Sequence, residues 1–441
     1  MRALPTLSPL VSFRSFGDRA ALVDHASGAL YVLNAEGGEL LERLDAGAVA
    51  FSEDDEELIT ELAAAGVVDC QGDGGPPDAS DRFDGSDRSD GSSDSEGEED
   101  LLDELNRWAA DRLIPLNCQL ELTYRCALRC EHCYLGHAGS RAREELTTDE
   151  IVGALDALKD LGCLFLILTG GEAFVRPDFE EIFSAARDRR FAVSFITSGW
   201  KHDAALLERL SRRGIDAAQV SLYGPDPAAH DAMTGVAGSF DEALDCMRTL
   251  RDLGVRVRAA VTPTARTVDG IEEMRDLLRR EGIPAALGLY MSPRRDGAKV
   301  PQALAVDEEG LRRALRAFPP GASPRMAGLG PEDRPCGAGS GALSIDPYGV
   351  VHPCLLLRIP AGSIRERPLA EIWNGSDALR EIRGIRIADL SDCPTCPLKA
   401  WCNRCAGFAR AEGLSALDHC SFDCLQARVV EQITKSPLAE R

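Results

Sequence analysis

The sequence lacks any long hydrophobic run and any surplus of basic residues. No stretch of about 18 apolar residues occurs in its 441 residues, which argues against a membrane-spanning helix. The beginning, MRALPTLSPLVSF, carries neither a charged start followed by an apolar block nor a small-residue cleavage site, so no secretory signal is indicated. Lys and Arg number 49 against 72 Asp and Glu, and the formal charge of -23 argues against nucleic acid or an anionic membrane as the main partner. We therefore expect a cytoplasmic protein.

Cysteine, in contrast, is abundant. Fifteen cysteines in a chain without a secretory signal indicate metal or redox chemistry rather than disulfides. Eleven of the fifteen fall into two clusters, at 126–133 and at 336–424. The other four lie in or beside predicted strands and helices, and we interpret them as packing residues: Cys70, Cys118, Cys163 and Cys246.

The length predicts two or three domains, of which the first covers residues 1–70. Its short apolar runs LVSFRSF, AALVD and ALYVL are typical of strands. Asn34 can cap a helix that carries Leu40, Leu41 and Leu44, and a second helix follows with Leu58, Leu62 and Ala65 at helical spacing. These elements predict a small winged-helix-like α+β domain.

Residues 71–105 are predicted to be a disordered linker. The stretch 71–100 contains eleven acids against two arginines and almost no apolar side chains. Such a composition cannot bury enough surface to offset the entropy lost on ordering.

Strand-like and helix-like segments alternate in residues 106–320, as about six βα units. One of the helices opens with Thr147 and Glu150, a capping-box pattern. The apolar runs are short and continuous, as in parallel strands. The fold class is therefore α/β, with a partial (β/α)6 TIM-type barrel whose chemistry should lie at the carboxyl ends of its strands.

Periodicity fades in residues 321–430 while Gly, Pro and Cys increase, and residues 431–441 read as a tail. This region has too little regular apolar patterning for a large core of its own. We expect bound metal to supply the missing stability.

The first cysteine cluster, CALRCEHCY, spaces Cys126, Cys130 and Cys133 unequally, whereas structural zinc sites usually use two cysteine pairs. The motif resembles the CxxxCxxC signature of the radical S-adenosylmethionine (radical SAM) family, with His132 before the last cysteine and Tyr134 after it. The resemblance implies that three thiolates hold a 4Fe-4S cluster and that S-adenosylmethionine binds its fourth iron. Cleavage of the cofactor would then give a 5'-deoxyadenosyl radical. A reducing partner such as flavodoxin or ferredoxin is implied as well.

TGGEA, which follows the second predicted barrel strand, resembles the GGE motif of the same family. The resemblance implies that Gly170, Gly171 and Glu172 hold the methionine amino group, with Tyr134 beside them. Ser198 and Ser221 follow the next two strands and match positions that often contact the cofactor's carboxylate or ribose, although each could equally be an ordinary strand-end residue.

The second cluster resembles the SPASM extension of radical SAM enzymes, which binds auxiliary iron-sulfur clusters. Eight thiolates suffice for two 4Fe-4S clusters, and with the first motif this makes three. By resemblance, Cys393, Cys396 and Cys402, with Cys420 or Cys424, hold the outer cluster; Cys336, Cys354 and Cys405 hold the inner one, with the remaining cysteine as a possible fourth ligand. Only two residues separate Cys402 from Cys405, where the family commonly has three, and structural zinc remains an alternative.

The order of elements in residues 1–70 is similar to the PqqD-like domain that recognises the leader of a ribosomally made precursor peptide. In that family the leader adds a strand to an exposed sheet edge. Together the resemblances imply a maturase that forms a thioether or carbon-carbon crosslink in a precursor peptide (a RiPP). A peptide epimerase, a decarboxylase, a formylglycine-type oxidase and a zinc-stabilised peptide-binding scaffold remain open. Tyr223, Tyr290 and Arg294 stand near strand ends, where either the cavity or packing could account for them.

Overall fold

Two small sheets and two helices form the N-terminal domain of the computed structural model, which describes residues 5–48, 50–70, 94–136, 143–320 and 324–435. The strands are Thr6–Leu7 (β1), Val11–Ser15 (β2), Arg19–Asp24 (β3), Leu30–Asn34 (β4) and Val68–Asp69 (β5), and the helices are Ala35–Asp45 (α1) and Glu53–Ala64 (α2). β2, β3 and β4 form an antiparallel sheet in that order, and β1 pairs with β5.

Local capping explains where the two helices begin. The side chain of Asn34 accepts a hydrogen bond from the backbone N–H of Gly37 at 2.9 Å, as its position in the sequence predicted. Ser52 and Asp55 form a reciprocal capping box at the start of α2. The predicted apolar stripe of α1 is confirmed, because its leucines are buried against the sheet.

A long helix, Asp94–Asp111 (α3), begins inside the segment predicted to be a disordered linker. Its last two turns bury Leu105 and Trp108 against Ala21 and Val23 of β3. The prediction of disorder is therefore wrong for residues 94–105, because this apolar stripe covers the second face of the N-terminal sheet. Residues 71–93, the rest of the predicted linker, lie outside the described residues.

Six parallel strands in chain order form the predicted partial barrel. They are Asn117–Thr123 (β6), Phe165–Gly170 (β7), Ala192–Thr197 (β8), Ala217–Leu222 (β9), Arg256–Val261 (β10) and Ala285–Leu287 (β11). The helices between and beside them are Thr148–Asp160 (α4), Phe179–Asp188 (α5), Ala204–Arg212 (α6), Pro227–Thr234 (α7), Ser239–Asp252 (α8) and Ile271–Glu281 (α9). The predicted capping box of Thr147 and Glu150 opens α4.

Burial alternates along the barrel strands. In β7, Leu166 and Leu168 are buried in the main core, whereas Ile167 between them is half-buried. The sequence suggested strands covered on both faces; the open barrel instead leaves its inner face lining a cavity.

The C-terminal part of the chain extends the barrel instead of standing apart. Its strands are Ala342–Ile345 (β12), Val350–His352 (β13) and Gly362–Ser363 (β14), and β12 pairs in parallel with β6. The helix Glu308–Ala317 (α10) precedes this part. The helices of the C-terminal part are Leu369–Gly375 (α11), Asp377–Gly384 (α12), Ala406–Ala411 (α13) and Ser421–Lys435 (α14). Leu343, Ile345 and Trp373 belong to the same core as the barrel. The predicted tail begins inside α14, which packs on α10.

Buried arginines fix the N-terminal domain to the amino-terminal end of the barrel. Arg187 of α5, 5 % exposed, donates hydrogen bonds to the carbonyl oxygens of Pro9 at 2.9 Å and Val11 at 3.3 Å. Arg14 of β2 donates to the carbonyl oxygen of Cys163, just before β7, at 2.7 Å. His25 contacts Asp216, just before β9, with 3.2 Å between Nδ1 and Oδ1. These contacts oppose free movement of the domain about a flexible tether.

Within the described residues, no helix is both long and apolar enough to cross a membrane.

The buried His25 predicts a pH-dependent stability. Burial lowers the pKa of His25 below its ordinary 6.5, so the folded chain keeps it neutral while the unfolded chain protonates it below that pH. The free energy of unfolding should therefore fall as pH falls from 6.5 to 5.5, with about 1 kcal/mol due to this residue. Urea unfolding of the chain and of His25→Gln at both pH values measures the difference. An equal pH dependence of the two would contradict this role.

Candidate active site

A cavity of about 770 Å³ opens at the carboxyl ends of β6 to β9. The three cysteines of the CxxxCxxC motif, Cys126, Cys130 and Cys133, line it on the loop that follows β6. Gly170 at the end of β7, Gly171 after it, Ser198 after β8 and Ser221 in β9 line the same space. The structure therefore brings together residues that are up to 95 positions apart, from Cys126 to Ser221.

The three cysteines differ in exposure: Cys130 and Cys133 are half-buried, whereas Cys126 is exposed. Desolvation of the sulfur atoms raises the pKa values of all three thiols above the ordinary thiol range. Since thiolates are the form that binds metal, loading a metal group here must release protons.

The GGE segment lies directly against the cysteine loop. Gly171 donates its backbone N–H to the carbonyl oxygen of Thr123 at 2.7 Å, and Glu172 donates to that of Arg125 at 2.9 Å. Gly170 has φ +140°, and a Cβ there would stand 2.3 Å from the Thr123 carbonyl oxygen. Glycine is needed because the two backbones touch at this point.

Glu172 lies behind the cavity surface and forms hydrogen bonds with residues at the end of β8. Its carboxylate is 2 % exposed and accepts hydrogen bonds from the Ser198 backbone N–H at 2.8 Å, the Ser198 hydroxyl at 2.5 Å and the Thr197 hydroxyl at 2.9 Å. It is not among the residues that line the cavity. Glu172 thus joins the ends of β7 and β8 and holds Ser198 in the cavity wall.

A buried acid that the sequence analysis did not single out lies under Tyr134. Glu121 of β6 is fully buried, and it accepts hydrogen bonds from the hydroxyls of Tyr124 at 3.0 Å and Tyr134 at 3.2 Å. Arg295 pairs with it at 3.1 Å and Arg358 at 2.8 Å. Tyr134 lines the cavity, but its hydroxyl is directed to this group, which we call the Glu121 network.

His132 was not predicted as a site residue, and Tyr223 was left open between the cavity and packing. Their rings meet edge to face with 4.4 Å between centroids, and both line the cavity. Burial lowers the pKa of His132 to about 4, so this imidazole is neutral at pH 7. Tyr290 instead stacks on Phe408 at 3.7 Å, outside the cavity lining. His132 carried one signal in the sequence, its place inside the cysteine motif.

The eight C-terminal cysteines separate into two groups. Cys393, Cys396, Cys402 and Cys424 line one small cavity of about 30 Å³. The second group contains Cys354, Cys336 and Cys405. Burial raises the pKa of Cys354 to about 12, and the neighbouring thiols of Cys336 and Cys405 add to the increase.

Asp423 links Cys420 to the second group, because it forms hydrogen bonds with both Cys420 and Cys405. It donates its backbone N–H to the Cys420 sulfur at 3.2 Å, and its carboxylate accepts the N–H of Cys405 at 2.7 Å. Cys424, which the sequence could not separate from Cys420, lies with the first group.

The remaining cysteines are not part of any of these cavities. Cys118, Cys163 and Cys246 are buried, as expected of packing residues, but Cys70 is exposed, so that interpretation is wrong for Cys70. Across the described ranges, no three His, Cys, Asp or Glu side chains converge closely enough to bind one metal ion directly. Seven of the thiols instead line two cavities, the larger with Cys126, Cys130 and Cys133 and the smaller with Cys393, Cys396, Cys402 and Cys424. Thiolates are the usual ligands of an iron-sulfur cluster.

The close approach at the GGE segment predicts a specific cost of adding a methyl group. In Gly171→Ala, the new Cβ would lie 2.4 Å from the Arg125 carbonyl oxygen, so the cysteine loop must move. The free energy of unfolding should fall by about 1–3 kcal/mol in urea denaturation. Gly153→Ala on α4, whose Cβ would meet no atom within 4 Å, is the control and should stabilise slightly. Equal effects of the two substitutions would contradict the contact.

Comparison with known proteins agrees with this geometry. Residues 120–280 match the model of the radical SAM superfamily, and residues 336–406 match the SPASM iron-sulfur cluster-binding domain. A protein named PqqA peptide cyclase, from Streptomyces rochei, is 30 % identical over 64 % of this chain and 82 % of its own length. An AdoMet-dependent heme synthase from Methanosarcina barkeri is 27 % identical, over 66 % of this chain and 91 % of its own.

Similarity to solved structures extends to the N-terminal part. SuiB of Streptococcus suis, in a crystal structure with the precursor peptide SuiA, aligns with 95 % of this chain and 100 % of its own at a TM-score of 0.61. The sequence identity is 16 %, so this likeness concerns the fold. The chain belongs to the radical SAM superfamily, with S-adenosylmethionine and iron-sulfur clusters as its cofactors and a SPASM domain after its barrel.

Proposed function

We propose that this enzyme modifies a ribosomally made precursor peptide by forming a thioether or carbon-carbon crosslink at an unactivated carbon. The observation that carries the proposal is an open strand edge on the same chain as the cysteine cavity. β4 pairs with β3 on one side, and within the described residues no strand pairs with its other side. The name of the relative that cyclises a peptide supports the same substrate class.

The N-terminal sheet is suited to binding an extended peptide. α1 and α2 cover one of its faces and α3 covers the other, so only the edge remains for a further strand. Backbone N–H and C=O groups of β4 would then supply affinity, and half-buried side chains such as Tyr31 and Val32 would supply specificity. We therefore propose that residues 5–70 are a PqqD-like leader-recognition domain.

The cluster ligands follow from the three cysteine groups. We assign Cys126, Cys130 and Cys133 to a 4Fe-4S cluster with one open iron, and each C-terminal group of four to a closed 4Fe-4S cluster. The outer cluster would use the cysteines lining the small cavity: Cys393, Cys396, Cys402 and Cys424. The inner cluster would use Cys336, Cys354, Cys405 and Cys420. These assignments give three clusters in all.

The cavity residues would orient the cofactor and exclude water. When bound, the cluster and S-adenosylmethionine supply a 5'-deoxyadenosyl radical that removes a hydrogen atom from the substrate. Gly170, Gly171, Ser198 and Ser221 would hold the cofactor's polar groups, while the rings of the neutral His132 and of Tyr223 would form an aromatic wall beside it. We further propose a cytoplasmic location and flavodoxin or ferredoxin as the reducing partner.

Other reactions that begin with the same removal of a hydrogen atom remain candidates. Epimerisation, decarboxylation or formylglycine-type oxidation would use the same cavity, and the heme synthase relative favours a small substrate instead of a peptide. The change in substrate mass separates most of them. A decarboxylation removes carbon dioxide, and an epimerisation leaves the mass unchanged. A crosslink and the oxidation of a serine to formylglycine both remove two hydrogen atoms, but only formylglycine contains an aldehyde that a hydrazine reagent labels. A zinc-stabilised scaffold would contain no iron.

Co-expression tests the peptide proposal. The chain, produced together with each short reading frame encoded beside its gene, should convert one peptide to a product lighter by two hydrogen atoms per crosslink, detected by mass spectrometry. Cys126→Ala should abolish the conversion, because it removes one of three cluster ligands, whereas Cys70→Ala, an exposed cysteine outside the cavities, should preserve it. Formation of 5'-deoxyadenosine with no change in any peptide would contradict a peptide substrate.

A second prediction concerns the open edge of β4. Alternate residues of an edge strand direct their N–H groups outward, so one of Tyr31→Pro and Val32→Pro removes an outward donor. That variant should keep its melting temperature but convert the peptide at least about tenfold more slowly at low peptide concentration. The other variant, which breaks the pairing with β3, should melt lower. Unchanged conversion by the stable variant would contradict leader binding at this edge.

A further inference from the structure

The mouth of the active-site cavity is basic, although the chain as a whole is strongly acidic. Among the residues lining the cavity, the arginines are Arg125, Arg129 and Arg143, and the one carboxylate is that of Glu145. The formal charge of the whole chain is -23. An acidic surface repels anions, so a cationic rim here creates a local field that favours an anionic ligand.

The arginines around the cavity differ in how fully they are neutralised. Arg125 lies 3.4 Å from Glu145, and Arg295 and Arg358 share the buried Glu121. Arg129 and Arg143 are exposed, and neither forms an ion pair with any residue in the described ranges. Two guanidinium groups at the cavity mouth are therefore available to a ligand.

Arg143 is held in place by aromatic rings. Its guanidinium lies over the ring of Tyr348 at 4.4 Å, and Tyr348 meets Tyr124 edge to face with 5.4 Å between centroids. The guanidinium of Arg295 lies over the ring of Tyr124, 4.0 Å from its centroid. The series of stacked groups that begins at Arg143 therefore ends at the Glu121 network. A cation held by stacking alone keeps its hydrogen-bond donors for a partner, and this lowers the entropy lost on binding.

We propose that Arg129 and Arg143 bind a carboxylate of the substrate peptide at the mouth of the cavity, either an acidic side chain or the C-terminal carboxylate. The proposal rests on the proposed function and specifies its substrate class. Guanidinium groups match the carboxylate geometry and form charge-assisted hydrogen bonds with it. The site selects where along the peptide the reaction occurs, because it holds the carboxylate next to the cavity that contains Cys126.

The test uses iron-sulfide-reconstituted full-length chain with S-adenosylmethionine, without reductant. Three synthetic pools of random dodecapeptides serve as probes. The first contains Asp and Glu and has an amidated C-terminus. The second has Asn and Gln in their place, also with an amidated C-terminus. The third has Asn and Gln and a free C-terminal carboxylate. Retention of each pool is quantified by mass spectrometry.

The chain should retain one of the carboxylate pools about tenfold better than the second pool, and the preference should weaken at high salt. Retention of the first pool identifies a side chain as the source, and retention of the third identifies the C-terminus. The preference should fall below about twofold in the double variant Arg129→Gln/Arg143→Gln. Arg280→Gln, the same change on α9 outside the cavity lining, should retain it.

Equal retention of all pools, or an undiminished preference in the double variant, would overturn the proposal. A tenfold rise in the dissociation constant of S-adenosylmethionine in the double variant would also overturn it, because the arginines would then serve the cofactor's own carboxylate. Failure of the proposed function would look different. In that case the carboxylate preference and its loss in the double variant would persist while no peptide encoded beside the gene is converted.

Discussion

A single buried carboxylate, that of Glu121, holds the parts of the active site together. It lies on β6 and binds Arg295 from the loop after β11 and Arg358 from the loop that follows Cys354. A charge this deep is stable only while its partners remain, and removing one partner of a buried pair typically costs about 3–5 kcal/mol. The barrel and the SPASM domain are therefore held in one relative position near the cavity.

This constraint extends to the cofactor site. Tyr134, adjacent to Cys133, donates its hydroxyl hydrogen bond to Glu121, so the loop carrying the first cysteine cluster depends on the same acid. At the opposite end of the barrel, Arg187 fixes the N-terminal domain with equally buried contacts. A peptide held at the edge of β4 would thus have to pass along the barrel to reach the cavity, because its binding domain does not swing on a linker.

The sequence predicted the parts of the site that depend on local spacing and failed where contacts are distant. The order of six parallel strands is confirmed, and the CxxxCxxC and GGE segments lie beside one cavity at strand ends, as their short-range patterns predicted; the roles of these residues toward the cofactor stay a prediction. Glu121 reads as an ordinary strand residue, because its arginine partners lie 174 and 237 positions away. The start of α3 was missed because its first turns are acidic, and only Leu105 and Trp108 reveal an apolar stripe. The pairing of β12 with β6 has no local signal at all.

We propose that one site with three thiolates and an open iron lies in the same chain as two closed sites with four thiolates each. Electron paramagnetic resonance of the reduced, reconstituted chain tests it most directly, with about twelve irons expected per chain. One cluster signal should change on addition of S-adenosylmethionine while the others stay the same, and that response should be absent in Cys126→Ala. A spectrum in which no signal responds, or a response that survives in Cys126→Ala, would contradict the assignment of an open iron to this site.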